Sequence, residues 1–128
     1  MISDSVNIKD AFIVNIGVEY DIVLRPNYSG RDIIYQCNNV LKDFLDVNKR
    51  SINQSINIAS LYTLLDKIKG VQTVQKLQIV NKTGGNYSQY NYDIAGATKS
   101  NVVYPSYDPC IFEVKYPDQD IKGRVTLL

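Results

Sequence analysis

Asn57–Val80, NIASLYTLLDKIKGVQTVQKLQIV, is the stretch whose reading decides the fold. Leu61, Leu64, Leu65 and Ile68 fall at i, i+3, i+4 and i+7, so they line one face of a helix over about Ala59–Lys69. Gly70 then takes the position just past a helix end, where positive φ is needed, and Val71 can fold back onto the last turn. Leu77 and Ile79 alternate with Gln78, which predicts a strand over about Thr73–Asn81. Ahead of the helix, Ser55–Ile58 predicts a brief strand running into it. The unit is helix, stop, strand. It supplies a sheet edge and carries no chemistry.

Upstream lies a longer signal. Phe12, Val14, Ile16, Val18, Tyr20, Ile22 and Leu24 alternate with Asn15, Gly17, Glu19 and Asp21, a period of two that predicts a strand with one buried face. Ile13 and Val23 on the other face imply that it is covered in part. Arg25-Pro26-Asn27 ends the strand. Ser29 with Asp32 three residues on resembles a capping box, and a helix follows over about Gly30–Asp46 with Ile33, Cys37, Val40, Leu41 and Phe44 as its apolar stripe.

Downstream the pattern changes. Residues 82–101, KTGGNYSQYNYDIAGATKSN, show no periodicity and read as a long Gly/Asn/Tyr-rich loop. Val102–Tyr104 is a short extended piece. Cys110–Lys115 and Gly123–Leu127 are expected to form a final antiparallel pair joined through Pro117–Lys122. Residues 1–9 read as a loose polar lead-in. The order β-α-(β)-α-β-loop-β-β implies one domain of the α+β class, with two helices packed on one face of a mixed three- to five-stranded sheet.

Composition narrows function mainly by exclusion. Net charge is +1, with 45% hydrophobic and 21% charged residues, so no electrostatic footprint for nucleic acid or an anionic membrane is present. No apolar run reaches the roughly 18 residues of a membrane span, and the first residues lack the basic start of a signal peptide. Cys37 and Cys110 are in no metal-like spacing, and Cys37 on the apolar helix stripe reads as a small core hydrophobe. The chain has no histidine, which removes Ser-His-Asp and Cys-His pairs, His-containing zinc sites and the commonest general base. Glu19 and Glu113 are the two glutamates, each on the solvent face of a predicted strand. Asp118 and Asp120 lack the Gly and closing Glu of a calcium loop and read as a polar turn. Gly84-Gly85 opens no helix and has no following Lys-Ser/Thr, so it is a turn and not a phosphate loop. No enzyme, cofactor or metal is expected.

Ten tyrosines are present, and Tyr87, Tyr90, Tyr92, Tyr104, Tyr107 and Tyr116 lie in the last third among Asn, Ser and Gly. An amphipathic ring suits protein contact. Tyr87, Tyr90, Tyr92, Tyr104 and Tyr107 are therefore the interface candidates, with exposed strand edges beside them. The plain alternative is that these rings pack down onto the sheet. A second functional reading uses the Tyr/Asn-rich loop to bind a carbohydrate or small ligand.

The strand FIVNIGVEYDIVLRP, the helix GRDIIYQCNNVLKDFLD and the segment SINIASLYTLLDKIKGVQTVQKLQI, spanning residues 12–80, together resemble the C-terminal part of baseplate J-like proteins of contractile phage tails, including wedge proteins of T4-like phages. The matching steps are Ser60-Leu61, Ile68 and Gly70-Val71. The resemblance covers about half the chain and is a packing signature. It implies a structural domain cut from a larger protein, assembled in the host cytoplasm into the virion's tail baseplate. Its implied partners are other wedge proteins and a second copy of itself, with no nucleic acid and no membrane. The Asn/Tyr-rich insertion departs from shorter members of that family.

Overall fold

The computed structural model describes residues 12–46, 49, 53–105 and 110–127. Strand β1, Phe12–Leu24, is its axis. The alternating residues Val14, Ile16, Val18, Tyr20 and Ile22 are all at most 2% exposed, so the predicted face is buried along its whole length. Helix α1, Gly30–Phe44, and helix α2, Ile58–Asp66, cover that face; the brief strand β2, Ile56–Asn57, leads into α2, and strand β3, Val71–Asn81, follows it. The two helices touch each other, α1 also lying against the last strand and α2 against β3.

β3 runs antiparallel to β1, with Ile16 opposite Asn81 and Tyr20 opposite Leu77. Gln75 and Gln72 are extra residues in β3: the register slips between Asp21 and Ile22 and again between Val23 and Leu24. Two bulges therefore twist the first half of β3, and the second half, from Leu77 to Asn81, is regular.

The predicted C-terminal hairpin does not form. Strand β6, Cys110–Glu113, pairs in parallel with Phe12–Asn15, and strand β7, Ile121–Val125, pairs in parallel with Val18–Ile22. The order β3-β1-β6 puts both on the side of β1 away from β3. The reason is the link. Pro117 opens a helical turn, α4, Pro117–Asp120, in which the Gln119 and Asp120 amides both donate to the Tyr116 carbonyl, at 2.9 and 2.8 Å. A turn of this kind sidesteps without reversing the chain, so one edge strand is interrupted and then resumes. Gly17 makes room for it: a Cβ there would stand 2.9 Å from the Asp120 carbonyl oxygen.

Residues 82–101 are also less irregular than their composition suggests. Asp93 caps a short helix, α3, Ile94–Ala97, by accepting from the Gly96 amide at 3.0 Å. Strands β4, Thr98–Lys99, and β5, Val102–Val103, then form a hairpin whose turn residues, Ser100 and Asn101, both have positive φ. β5 also pairs with β2, giving a second, three-stranded antiparallel sheet in the order β2-β5-β4. The fold is α+β as expected, with two sheets instead of one.

Local details adjust the helices. Ser29 occupies the α1 N-cap, but its side chain makes no capping bond. The stripe closes on Leu45, 2% exposed, and not on Phe44, which is 38% exposed because it lies round the helix from Leu41. α2 ends at Asp66, so Lys67 and Lys69 belong to the turn beyond it; Asn57 caps its start by accepting from the Ala59 amide. Gly70 has φ +104°, and a Cβ there would meet Ile33 Cδ1 at 2.7 Å and Tyr28 Cδ1 at 2.8 Å. Cys37 and Cys110 are both free thiols, fully buried. The lead-in 1–9 and most of the 47–53 connection lie outside the described residues.

Candidate functional site

Asn15 organises the tyrosine-rich segment. It is 1% exposed, and alternation places it on the face of β1 away from the helices. A buried amide must be satisfied, and this one is. Its Oδ1 accepts from the Ser88 amide at 2.6 Å, its Nδ2 donates to Glu113 Oε1 at 2.9 Å, and its carbonyl accepts from the Lys82 amide at 2.7 Å. Asn81 extends the network: its Nδ2 donates to the Asn15 carbonyl at 3.0 Å and its Oδ1 accepts from the Tyr92 amide at 2.8 Å. Residues 82–92 are thereby strapped to the ends of β1 and β3.

The interface candidates fall into three groups. Tyr87, Tyr90 and Tyr92 are half-buried. The Tyr87 hydroxyl lies 2.9 Å from both oxygens of Asp120, a carboxylate only 4% exposed, and its ring meets Tyr116 edge-on at 5.5 Å. Burial first, and then the hydrogen bond to Asp120, raise the Tyr87 phenol above its ordinary range. Tyr90 stacks on Phe12 at 4.9 Å and lies 6.5 Å from Tyr92, which in turn reaches Phe112 at 5.9 Å. The Tyr92 hydroxyl donates to the Tyr104 carbonyl at 2.5 Å. Tyr104 itself is 48% exposed, and Tyr107 lies outside the described residues. Tyr87, Tyr90 and Tyr92 therefore serve internal ring contacts first, and among the described candidates Tyr104 offers the most surface.

Glu19 and Asp21 share the other face of β1 with Asn15 and sit in a cross-strand row of charge. Asp21 has Arg124 on one side and Lys76 on the other, and Glu19 has Lys122 and Gln78. Arg124 grips Asp21 through Nε at 3.2 Å and Nη2 at 2.9 Å, and Gln78 Nε2 donates to Glu19 Oε1 at 3.0 Å. In this row Asp21 is paired with a cation and Glu19 is held by a neutral amide. A concavity of about 540 Å³ opens between the end of α1 and the β6–α4 step; it mixes Lys42, Lys115, Asp46 and Glu113 with Leu45 and Val114. Beside it the exposed pair Lys42–Asp118 spans 3.3 Å. Among the described residues no group of three His, Cys, Asp or Glu side chains could hold a metal, and no helix is long and apolar enough to cross a membrane.

The Asn15 hub escaped sequence reasoning, because an Asn in a strand reads as solvent-facing; exposed strand edges were expected, and the strand order shows where one lies. β3 pairs with β1 alone among the described residues. The β6 edge is closed at Cys110, whose amide donates to Asn53 Oδ1 at 3.0 Å and whose carbonyl accepts from the Asn53 amide at 2.7 Å.

No family model matches the chain, and no curated protein matches it in sequence.

Proposed function

We propose that this chain is a structural assembly module of a contractile-tail baseplate, joining wedge components by protein–protein contact and pairing with a second copy of itself. The observation that carries the reading is the sheet. Its long central strand, two helices on one face and the helix–Gly70–strand unit make up the packing pattern on which the resemblance to baseplate J-like proteins rests. β3, at the end of that unit, has an unpaired edge among the described residues, and an open edge is a ready template for a neighbouring chain. In this reading the chain works in the virion, after assembly in the host cytoplasm, and catalyses nothing.

The test is co-expression with the products of the neighbouring reading frames, followed by sedimentation and electron microscopy. Discrete complexes containing this chain are expected. A chain that sediments alone in every such mixture overturns the proposal.

A further inference from the structure

β1 runs past the end of β3. Residues 16–24 pair with β3, whereas residues 12–15 have β6 on one side and no β3 partner on the other. The chain leaving β3 occupies that side. Lys82 pins one end of it, its amide donating to the Asn15 carbonyl at 2.7 Å. Tyr92 pins the other end. Its amide donates to Asn81 Oδ1, its hydroxyl donates to the Tyr104 carbonyl, and its ring lies 5.9 Å from that of Phe112. Residues 83–91 span the gap between the two pins.

That span is held differently from the rest of the domain. None of its residues is buried, and none belongs to a strand or helix. It grips the body at a few points. The Ser88 amide donates to Asn15 Oδ1, the Tyr87 hydroxyl to Asp120, and the Lys115 ammonium to the Asn86 carbonyl, while the Tyr90 ring stacks on Phe12. Asn15 and Asp120 are the buried polar side chains among the described residues. Both are met by this span, from the adjacent residues Ser88 and Tyr87, so the two bonds are made or broken together. Near the Lys82 pin, Gly84 and Gly85 have φ +85° and +54°, and nothing stands within 4 Å of a Cβ built on either, so the backbone can swing there without collision. A segment with few buried apolar contacts opens ahead of the whole fold.

We propose that residues 83–91 form a hinged guard over the end of β1 that β3 leaves unpaired. The guard opens as one unit between Gly84-Gly85 and Tyr92, and it bares residues 12–15 while β1 keeps its pairing with β3, β6 and β7. Closed, it covers a sheet edge and so removes a template for foreign strands. Open, it leaves Asn15 Oδ1 and the Asp120 carboxylate with only water to replace the amide and the hydroxyl, and recovery of those two bonds draws it shut. The device goes beyond the assembly reading and does not depend on it.

Amide hydrogen exchange followed by NMR, on the wild-type chain and two variants, tests it. In the wild type the Ser88 amide is expected to exchange well ahead of the Leu41 amide of α1, and to respond little to added urea, because opening the guard exposes little surface. Tyr87→Phe withdraws the hydroxyl from Asp120 and leaves the bond between Ser88 and Asn15 in place. Gly85→Ala touches neither bond; it strains the closed hinge, since φ +54° disfavours a side chain. Each variant is expected to speed exchange of the Ser88 amide about tenfold. A Ser88 amide that keeps step with Leu41 across the urea series overturns the inference, because the span then opens only with the whole fold. So does a Ser88 rate that either variant leaves unchanged, because the hinge, the Tyr87 contact and the Ser88 contact then do not move as one.

Discussion

The ring of Tyr20 lies directly on the backbone of Gly123. The two residues are opposite each other in the β1–β7 ladder, and a Cβ added to Gly123 would stand 2.2 Å from Tyr20 Cζ. Tyr20 cannot step aside, because it is 2% exposed and its hydroxyl is tied to Asn38 Oδ1 of α1 at 2.5 Å. The glycine lets a large ring cross from the sheet to the helix without lifting α1 off β7.

Gly123→Ala is therefore expected to destabilise the domain by about 1–3 kcal/mol, the range for overpacking a filled core. Urea unfolding measures it. In a double-mutant cycle with Tyr20→Ala the two losses are expected to be strongly non-additive, since removing the ring removes the clash. Additive losses would mean that the contact does not control the cost.

Removing the Asn15 amide leaves the Ser88 amide without its partner in a dry place. Asn15→Ala is expected to cost about 1–3 kcal/mol from the orphaned groups. It should also speed hydrogen exchange selectively over residues 82–92, while α1 and α2 keep their protection. Uniform acceleration across the domain would show that the hub is merely part of the global core.

Tyr87→Phe isolates the other end of the strap. It keeps the ring against Tyr116 and withdraws the hydroxyl from the buried Asp120 carboxylate. A loss of about 1–3 kcal/mol is expected, the cost of leaving a buried acceptor unmet. Asp120→Asn with Tyr87 intact should lose less, since the amide oxygen still accepts. Equal losses would mean that the amide oxygen does not replace the carboxylate.

Cys37 and Tyr20 make a pH prediction. Burial, partly offset by a hydrogen bond with Tyr20, pushes the Cys37 thiol from 9.0 up to about 11. Burial, and then the neighbouring Cys37, raise the Tyr20 phenol as well. Both are held neutral in the fold and ionise more easily when unfolded. Their stabilisation is complete below pH 9, where the unfolded thiol is still protonated, and is lost as pH climbs through about 11. Thermal melts should fall across that window, and Cys37→Ser should flatten the first part of the fall. In the same spirit, a thiol reagent at pH 8 should label neither cysteine until urea opens the core, both being fully buried.

What the sequence disclosed follows the physics of pattern. β1 spells out its buried face because each apolar residue points the same way, and Gly70 reads as a helix stop because only glycine tolerates its φ. The α4 step was not legible: Cys110–Glu113 and Ile121–Val125 look like two arms of a hairpin, and only the way Asp120 passes Gly17 reveals that the chain does not turn back. Ser100-Asn101 lacks the glycine that marks most two-residue hairpin turns, so β4 and β5 were hidden within a tract that reads as loop. The tyrosines were visible as a group, but whether they face a partner or one another is decided by Phe12 and Phe112, distant in the chain. That the Asn57–Val80 unit supplies a sheet edge was read from its pattern, but which side of β3 stays unpaired among the described residues follows only from the strand order.

Interrupting an edge strand also sets the order in which the molecule can be made. Phe12 waits for Cys110, 98 positions later, and Val18 for Ile121, 103 positions later. Closing a loop of that size costs about 4 kcal/mol of chain entropy before any parallel pairing repays it. On a translating ribosome β1 can zip with β3 early, but its far side stays bare until residues beyond 120 have cleared the exit tunnel. The half-built sheet then has two exposed margins at the moment many identical nascent chains share a messenger. Lys122 and Arg124 arrive last, and they bring the charge that keeps the second margin from sticking to its neighbours.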